Sequence, residues 1–489
     1  MRQIVLLLCV TTCSIPQQAQ AQSNRRLDPK VAATAVDAFK AALNERWSYR
    51  HANNADIDAA IVALRNRIDT NSSQDFDRGI LEYELGIELQ KILALGIDAH
   101  ASVSGFSFPA AGRLPFLIEV VGKRYVAVDS NRKAFLADGF PFITKIDERS
   151  VDDWCAVVSV IVMKGSPQYM RHRCLTRLRD FDYWRQVMNL PRRDTIDIEL
   201  TDLEGKARKT LTVALAKSLL PYGVWPSVGS HLLEGNIGYL RLNTMETSRS
   251  VPEIETWMAK FRDTAGLIID VRDNNGGDRD PLVMIYSYLA APNDPPRVFN
   301  AAAYRLFKEH PDDYLARNHR MFRAGAAEWT ADERKVVVEF AKKFKPRWEL
   351  PRAQFSDWHY MALTRQNFPN VYYFSKPVIV LLNGKSFSAT DIFLAGLKGM
   401  KNVLLLGTAS SGGSAFTQEI PLGKTNLRLR IGSMASFQSD GSLFDGNGVS
   451  PDVLIEPFPD YFIGGRDNVL EEAVKRIREW PATNELNQP

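Results

Sequence analysis

The sequence predicts an α/β fold on two observations. From about residue 217 onward, apolar strands alternate with helical stretches, the pattern of a mostly parallel sheet. Ahead of that region come a helical stretch and then a run of short strands, so the sheet carries a helical region and a β-rich module in front of it. The 489 residues are enough for about three domains. With 45% hydrophobic and 24% charged residues the composition is globular, which argues against a disordered or coiled-coil chain.

Residues 1–21 read as an export signal. Arg2 supplies the positive start, and Ile4 to Ile15 is apolar but too short to cross a bilayer as a helix. Ala19-Gln20-Ala21 is a small-x-small cleavage site, so the mature chain is expected to begin at Gln22, in the periplasm or outside the cell. Cleavage removes Cys9 and Cys13. Cys155 and Cys174 remain, either as a disulfide or as two buried thiols.

Residues 22–113 form the helical region. Lys30–Trp47, Ala55–Ile68 and Phe76–Leu95 carry apolar residues at helical spacing. Ser72 and Ser73 are expected to cap the third helix and Gly96 to stop it, leaving Asp98-Ala99-His100 in a loop. Residues 114–216 form the β-rich module. Its strands are expected at Phe116–Val121, Tyr125–Val128 and Phe142–Asp147, with a helix from Val151 and a closing hairpin of Thr195–Leu200 and Lys209–Ala214. Residues 217–480 form the α/β core. Asn236–Leu242, Gly266–Arg272 and Pro377–Leu382 read as strands; Pro252–Ala265, Pro281–Leu289 and Ala389–Lys398 read as helices. A charged, aromatic-rich segment at 296–370 interrupts this core and reads as a surface subdomain or a cover over the site.

Several function classes are disfavoured. Lys and Arg total 61 against 57 Asp and Glu, a net charge of +4 that gives no electrostatic case for a nucleic-acid partner. There is no Cys-x-x-Cys or His-x-x-x-His pair and no phosphate-binding glycine motif, which argues against a structural zinc site and a nucleotide cradle. No stretch after the signal reaches the length of a membrane span.

Three local features carry the chemistry. Arg272-Asp273-Asn274-Asn275-Gly276-Gly277 follows a buried strand, and paired glycines there let backbone N–H groups point into a site. Ser386-Phe387-Ser388-Ala389-Thr390-Asp391 joins a strand to a helix, where the free N–H groups and positive dipole end suit a nucleophile and its oxyanion; a helix cap is the simpler role. Asp445-Gly446-Asn447-Gly448-Val449-Ser450-Pro451-Asp452 is a carboxylate-rich turn near the end of the core.

In this order, and with Gly-Tyr-Leu-Arg-Leu at 238–242 and Leu406-Gly407, these elements resemble the tail-specific or C-terminal processing peptidases, a group that includes the tricorn core. The resemblance implies a crotonase-like ββα core, a PDZ-like module at 114–216, protein or peptide substrates, and no metal or organic cofactor. It implies Ser388 as nucleophile, with an oxyanion hole from the N–H groups of Ala389 and of Gly276 or Gly277. The family's usual lysine is missing: Ser410-Ser411-Gly412-Gly413-Ser414-Ala415 places Gly413 in its register, and Arg241 stands where tricorn-like members carry a histidine. A third arrangement, that of a chlamydial secreted protease of this family, takes its histidine from an Asp-x-His-Ala element. Asp98-Ala99-His100-Ala101 resembles it, which implies His100 as base and Asp445 as its acidic partner. Lys385, three residues before Ser388, is the remaining candidate base. A non-catalytic binding or scaffold protein on the same fold is the competing reading that the absent lysine allows.

Overall fold

A computed structural model of the chain describes residues 25–74, 79–220, 225, 228–307, 314–351 and 353–480. The expected signal, with Cys9, Cys13 and the cleavage site, lies outside the described residues. No described helix is long and apolar enough to cross a membrane.

Three helices open the chain: α1 (Pro29–Arg46), α2 (Ile57–Gln74) and α3 (Glu82–Leu93). Asp28 caps α1 by accepting from the Lys30 N–H, and Pro29 begins it, where no backbone donor is needed. Val36, Phe39 and Leu43 then fall on one buried face. Ser72 and Ser73 belong to α2, the expected helix start at Phe76 to Arg78 lies outside the described residues, and the third helix begins at Glu82. The cause is a short strand. Ile80–Leu81 pairs with Arg26–Leu27, and a Cβ on Gly79 would lie 2.0 Å from the Leu27 carbonyl oxygen. Ile80 and Leu81 are therefore extended, and the Leu81 N–H donates to the Glu84 side chain in the first turn of α3.

The next stretch is an antiparallel sheet in the order β2 (Phe116–Val121), β3 (Arg124–Asp129), β4 (Phe142–Ile146), β5 (Thr195–Thr201), β6 (Arg208–Ala214). Between β4 and β5 lie α4 (Val151–Val158), α5 (Pro167–Leu178) and α6 (Phe181–Val187). Cys155 on α4 and Cys174 on α5 are both free thiols in this structure.

The central sheet has six strands: β7 (His231–Leu233), β8 (Ile237–Arg241), β9 (Gly266–Asp270), β12 (Val378–Leu382), β13 (Val403–Gly407) and β17 (Val453–Leu454). Only β7 runs antiparallel to its neighbour. Both faces are covered, which is why its strands are continuously apolar. Alternation sends Leu267 and Ile269 toward α7 (Thr247–Phe261), α8 (Asp280–Leu289) and α10 (Ala389–Leu397), and Ile268 toward α11 (Asn468–Arg478).

The 296–370 segment is more than a surface cover. Its strand β10 (Arg297–Tyr304) is buried from Val298 onward and pairs on one side with β11 (His359–Leu363) and on the other with β16 (Met434–Gln438). A third small sheet joins β1 (Ser102–Ser104) to β15 (Arg428–Gly432) and β14 (Thr417–Pro421). That pairing fastens the loop just after α3 onto the far end of the chain.

Candidate active site

Ser388 sits where β12 ends and α10 begins. It adopts φ 63° and ψ −121°, a strained conformation for a residue with a side chain. Two contacts hold it there: its N–H donates to Asp391 Oδ2 at 2.9 Å, and the Phe387 N–H donates to the Asn274 carbonyl at 2.9 Å. The neighbouring Ser386 is fully buried and donates to the Val271 carbonyl at 2.8 Å, so it anchors the turn and does not face the cleft.

His100 reaches this serine from 288 residues away: its Nε2 is 2.9 Å from Ser388 Oγ. Three features aim the ring. The phenyl of Phe387 stacks on it at 4.4 Å. Asp98 accepts from the His100 N–H at 3.0 Å, from Trp47 Nε1 at 2.9 Å and from the Gly432 N–H at 2.9 Å. Asp445 accepts from the Ala99 N–H at 3.0 Å, from the Ser414 N–H at 3.1 Å and from the Tyr49 hydroxyl at 2.8 Å. Asp445 thus acts on the backbone of the histidine loop; it makes no hydrogen bond to the ring, and the buried His100 Nδ1 has no partner among the described residues.

Burial, followed by the charges of Arg430 and Arg173, pushes the His100 imidazole down to about 3, so it is neutral across the working pH range. Burial and the Asp445 charge push the Asp98 carboxyl up to about 7, and burial also raises Asp445. The two acids are buried and close together, where a second negative charge is unfavourable. Asp98, His100 and Asp445 each bring a ligand atom within 4.8 Å of the others, a spacing a cation could use. Both carboxylates already accept three protein donors, and His100 Nε2 faces Ser388. That arrangement is one of positioning more than of metal ligation.

Gly276 lies directly against the serine. A Cβ on Gly276, whose φ is 101°, would lie 2.7 Å from Ser388 Cβ and 2.9 Å from the Ala389 N. The Gly276 N–H donates to Asn274 Oδ1 at 2.9 Å and is therefore taken. Of the two glycines considered as oxyanion donors, Gly277 is the one whose N–H is not taken by Asn274; Ala389, as the first residue of α10, has no intrahelical carbonyl for its N–H. Asn274 also accepts from Thr390 Oγ1 at 2.9 Å and donates to the Leu242 carbonyl, so one side chain ties the glycine loop to the serine helix.

The lysine register is filled by an aromatic ring. A Cβ on Gly413 would lie 2.4 Å from Phe387 Cε2 and 3.2 Å from Ala99 Cβ. The ring that stacks on His100 thus occupies the room a side chain at 413 would need. Lys385, the other amine considered, donates to Glu119 Oε2 at 2.6 Å and lies 3.3 Å from Asp273. Burial pulls its pKa down, but these two carboxylates outweigh it and hold the ammonium charged, so it is no base. Phe387, Asn274, Asp98 and Asp391 were not singled out by sequence. Asp391 takes the Ser388 and Gly412 N–H groups and is pushed up to about 8 by burial.

A cleft of about 760 Å³ opens over this constellation, walled by His100, Ser388, Ala389, Gly276, Gly277 and Arg430 among others. Its size suits a segment of polypeptide.

The chain was compared with known proteins. Residues 236–455 match the family model described as Peptidase family S41. A carboxy-terminal-processing protease of Bartonella bacilliformis is 36% identical over 90 residues, 18% of this chain and 20% of the relative, so the match spans only a fifth of that protein's length. Among solved structures, mature CPAF superposes with a TM-score of 0.63 at 16% identity, over 94% of this chain and 100% of that one. The same protein complexed with lactacystin gives 0.60 at 16% identity, over 92% and 99%. At that identity the likeness is one of fold. The sequence match lies over the strands and loops that carry Ser388, Gly276 and Asp445, and over residues 236–455 the chain is similar to Peptidase family S41.

Proposed function

We propose that the chain is an exported serine endopeptidase that hydrolyses protein or peptide substrates, with Ser388 as nucleophile and His100 as general base. The observation that carries this reading is the 2.9 Å approach of His100 Nε2 to Ser388 Oγ beneath an open cleft. A serine hydroxyl needs a base, and His100 is both within reach and neutral. As Ser388 Oγ attacks the scissile carbonyl, Nε2 takes its proton, and the N–H groups of Ala389 and Gly277 face the developing oxyanion. His100 then returns the proton to the leaving amine, and water resolves the acyl-enzyme. Asp98 and Asp445 hold the histidine loop, and their charge favours the imidazolium formed in the transition state. No metal or organic cofactor enters this scheme.

In this reading residues 217–480 are a crotonase-like catalytic core with the insertion at 296–370. Residues 22–113 are its helical support, and 114–216 are a PDZ-like module that tunes substrate choice. Fluorophosphonate labelling tests the reading, because only an activated serine reacts quickly. The intact chain is expected to label and Ser388→Ala is not; an intact chain that fails to label favours a binding scaffold.

The pH dependence is a second test. His100 is held near 3 against an ordinary value of 6.5, so the acid limb of kcat/KM is expected below pH 5. A shallower rise is expected through about 7. There Asp98 loses its proton, and the added negative charge favours imidazolium. For stability the signs are opposite. The depressed His100 stabilises fully above 6.5, and that contribution is lost as pH falls below 6.5. The raised Asp98 stabilises fully below 3.8, and that contribution is lost as pH rises toward 7. A pH–rate series on the intact chain and Asp98→Asn checks the assignment. The step near 7 should vanish in Asp98→Asn; an unchanged step would assign it to another group.

A further inference from the structure

A second cavity of about 500 Å³ lies beside the cleft, between the β2–α5 side of the strand module and the loops at the ends of the central strands. Tyr169, Arg173, Asn275 and Phe387 line both spaces, so the two adjoin. Its walls carry six cationic side chains against two carboxylates, Glu119 and Asp273. Both carboxylates are already engaged: Glu119 accepts from Arg132 Nη2 at 2.5 Å and from Lys385 at 2.6 Å, and Asp273 lies 3.3 Å from Lys385.

What remains is a group of buried donors with nothing to donate to. Among the described residues, Arg132 is only 9% exposed, yet its Nε and Nη1 have no partner; Arg241 is 3% exposed and its Nε has none; the Trp225 indole Nε1 has none. Trp225 links the two arginines. The Arg132 guanidinium lies over the Trp225 ring at 5.4 Å, and Arg241 Nη2 donates to the Trp225 carbonyl at 3.4 Å. Buried N–H groups are almost always satisfied, so unsatisfied ones gathered in one corner of a cationic cavity mark the place of a missing acceptor. Arg132 is also held at φ 57°, a strained backbone for an arginine, as is common at ligand sites.

We propose that this corner is a carboxylate subsite of the substrate channel, where Arg132, Arg241 and Trp225 take an acidic group on the same polypeptide whose bond lies at Ser388. The proposal rests on the peptidase reading for its choice of ligand, since a peptide lying in the cleft runs beside a cavity that shares four wall residues with it. A peptide carries a carboxylate either as an acidic side chain or as its chain end, and the chemistry at the subsite is the same for both.

Binding is measured on the full chain carrying Ser388→Ala, so that the cavity is read without turnover. The probes are N-acetyl-glutamate α-amide, with only a side-chain carboxylate, N-acetyl-alanine, with only a terminal one, and N-acetyl-glutamine α-amide, with neither. Saturation-transfer NMR and tryptophan fluorescence follow the titrations. At least one carboxylate probe is expected to bind about ten-fold or more tighter than the neutral one, and Arg132→Met is expected to abolish that preference. The tighter of the two acids identifies the source. If Arg132→Met melts far below the parent, Trp225→Phe replaces it; it removes one donor, keeps the ring, and is expected to reduce the preference several-fold. Equal binding of the three probes, or an undiminished preference in the folded variant, overturns the proposal. Fluorophosphonate labelling of the unmutated chain reads Ser388 alone, so failure of the peptidase reading is seen separately.

Discussion

Ser388→Ala is expected to lower kcat/KM by about 10⁴- to 10⁶-fold while leaving the melting temperature nearly unchanged. The substitution removes the attacking oxygen and little else: the backbone at 388 keeps its N–H bond to Asp391, and β12 and α10 keep their packing. His100→Ala is expected to fall almost as far. The double variant should be no worse than either single one, because a nucleophile and its base act as one unit. Ser386→Ala is the contrast. Its hydroxyl is buried on the Val271 carbonyl, away from His100, so activity should stay within about ten-fold and stability should drop by about 1–2 kcal/mol. Purified variants assayed on one fluorogenic peptide, each with a melting curve, decide the matter. Near-normal kcat in His100→Ala would remove the histidine from the mechanism.

Local pattern and long-range placement were legible in the sequence to different degrees. The strand at 266–270, the helix at 389–397 and the hairpin of 195–201 with 208–214 were readable, because each announces itself through its own periodicity and its own glycine or cap. The start of α3 was misplaced because a two-residue strand pairing with Arg26–Leu27 overrides the helical spacing before Glu82. No local signal carries that information. The 296–370 segment looked peripheral from its charges, yet Ala301, Ala302 and Ala303 are wholly buried between β11 and β16, partners that lie far away in sequence. In the site, Ser388 and His100 stand out by motif. Phe387 does not, since its part is to stack on His100 and to fill the room beside Gly413. The Asp98–Trp47 and Asp445–Tyr49 bonds join residues 51 and 396 positions apart, and only the folded chain reveals them.

Gly276→Ala is expected to lower kcat/KM by more than about 100-fold, although it adds only a methyl group and removes no reacting atom. Two effects combine. The first is backbone strain: φ is 101°, and a side chain there is unfavourable by about 1–2 kcal/mol. The second is collision: the new Cβ would stand 2.7 Å from Ser388 Cβ, 2.8 Å from the Phe387 carbonyl oxygen and 2.9 Å from the Ala389 N. These neighbours are mostly backbone and the root of the nucleophile, with no flexible end that can swing away. Either the serine turn or the glycine loop must move, and each motion disturbs the 2.9 Å approach of His100 to Ser388 and the donors at Ala389 and Gly277. A shift of that size at reacting atoms is enough for a loss of two orders of magnitude. Gly139→Ala separates the two effects. Its φ of 77° carries similar strain, but nothing lies within 4 Å of its added Cβ, so it should lose stability to a similar degree and keep its turnover. The measurement is kcat and KM on one peptide for both variants, alongside the rate of fluorophosphonate labelling at Ser388. Gly276→Ala should label far more slowly than Gly139→Ala; equal labelling rates would show that the glycine loop does not press on the nucleophile.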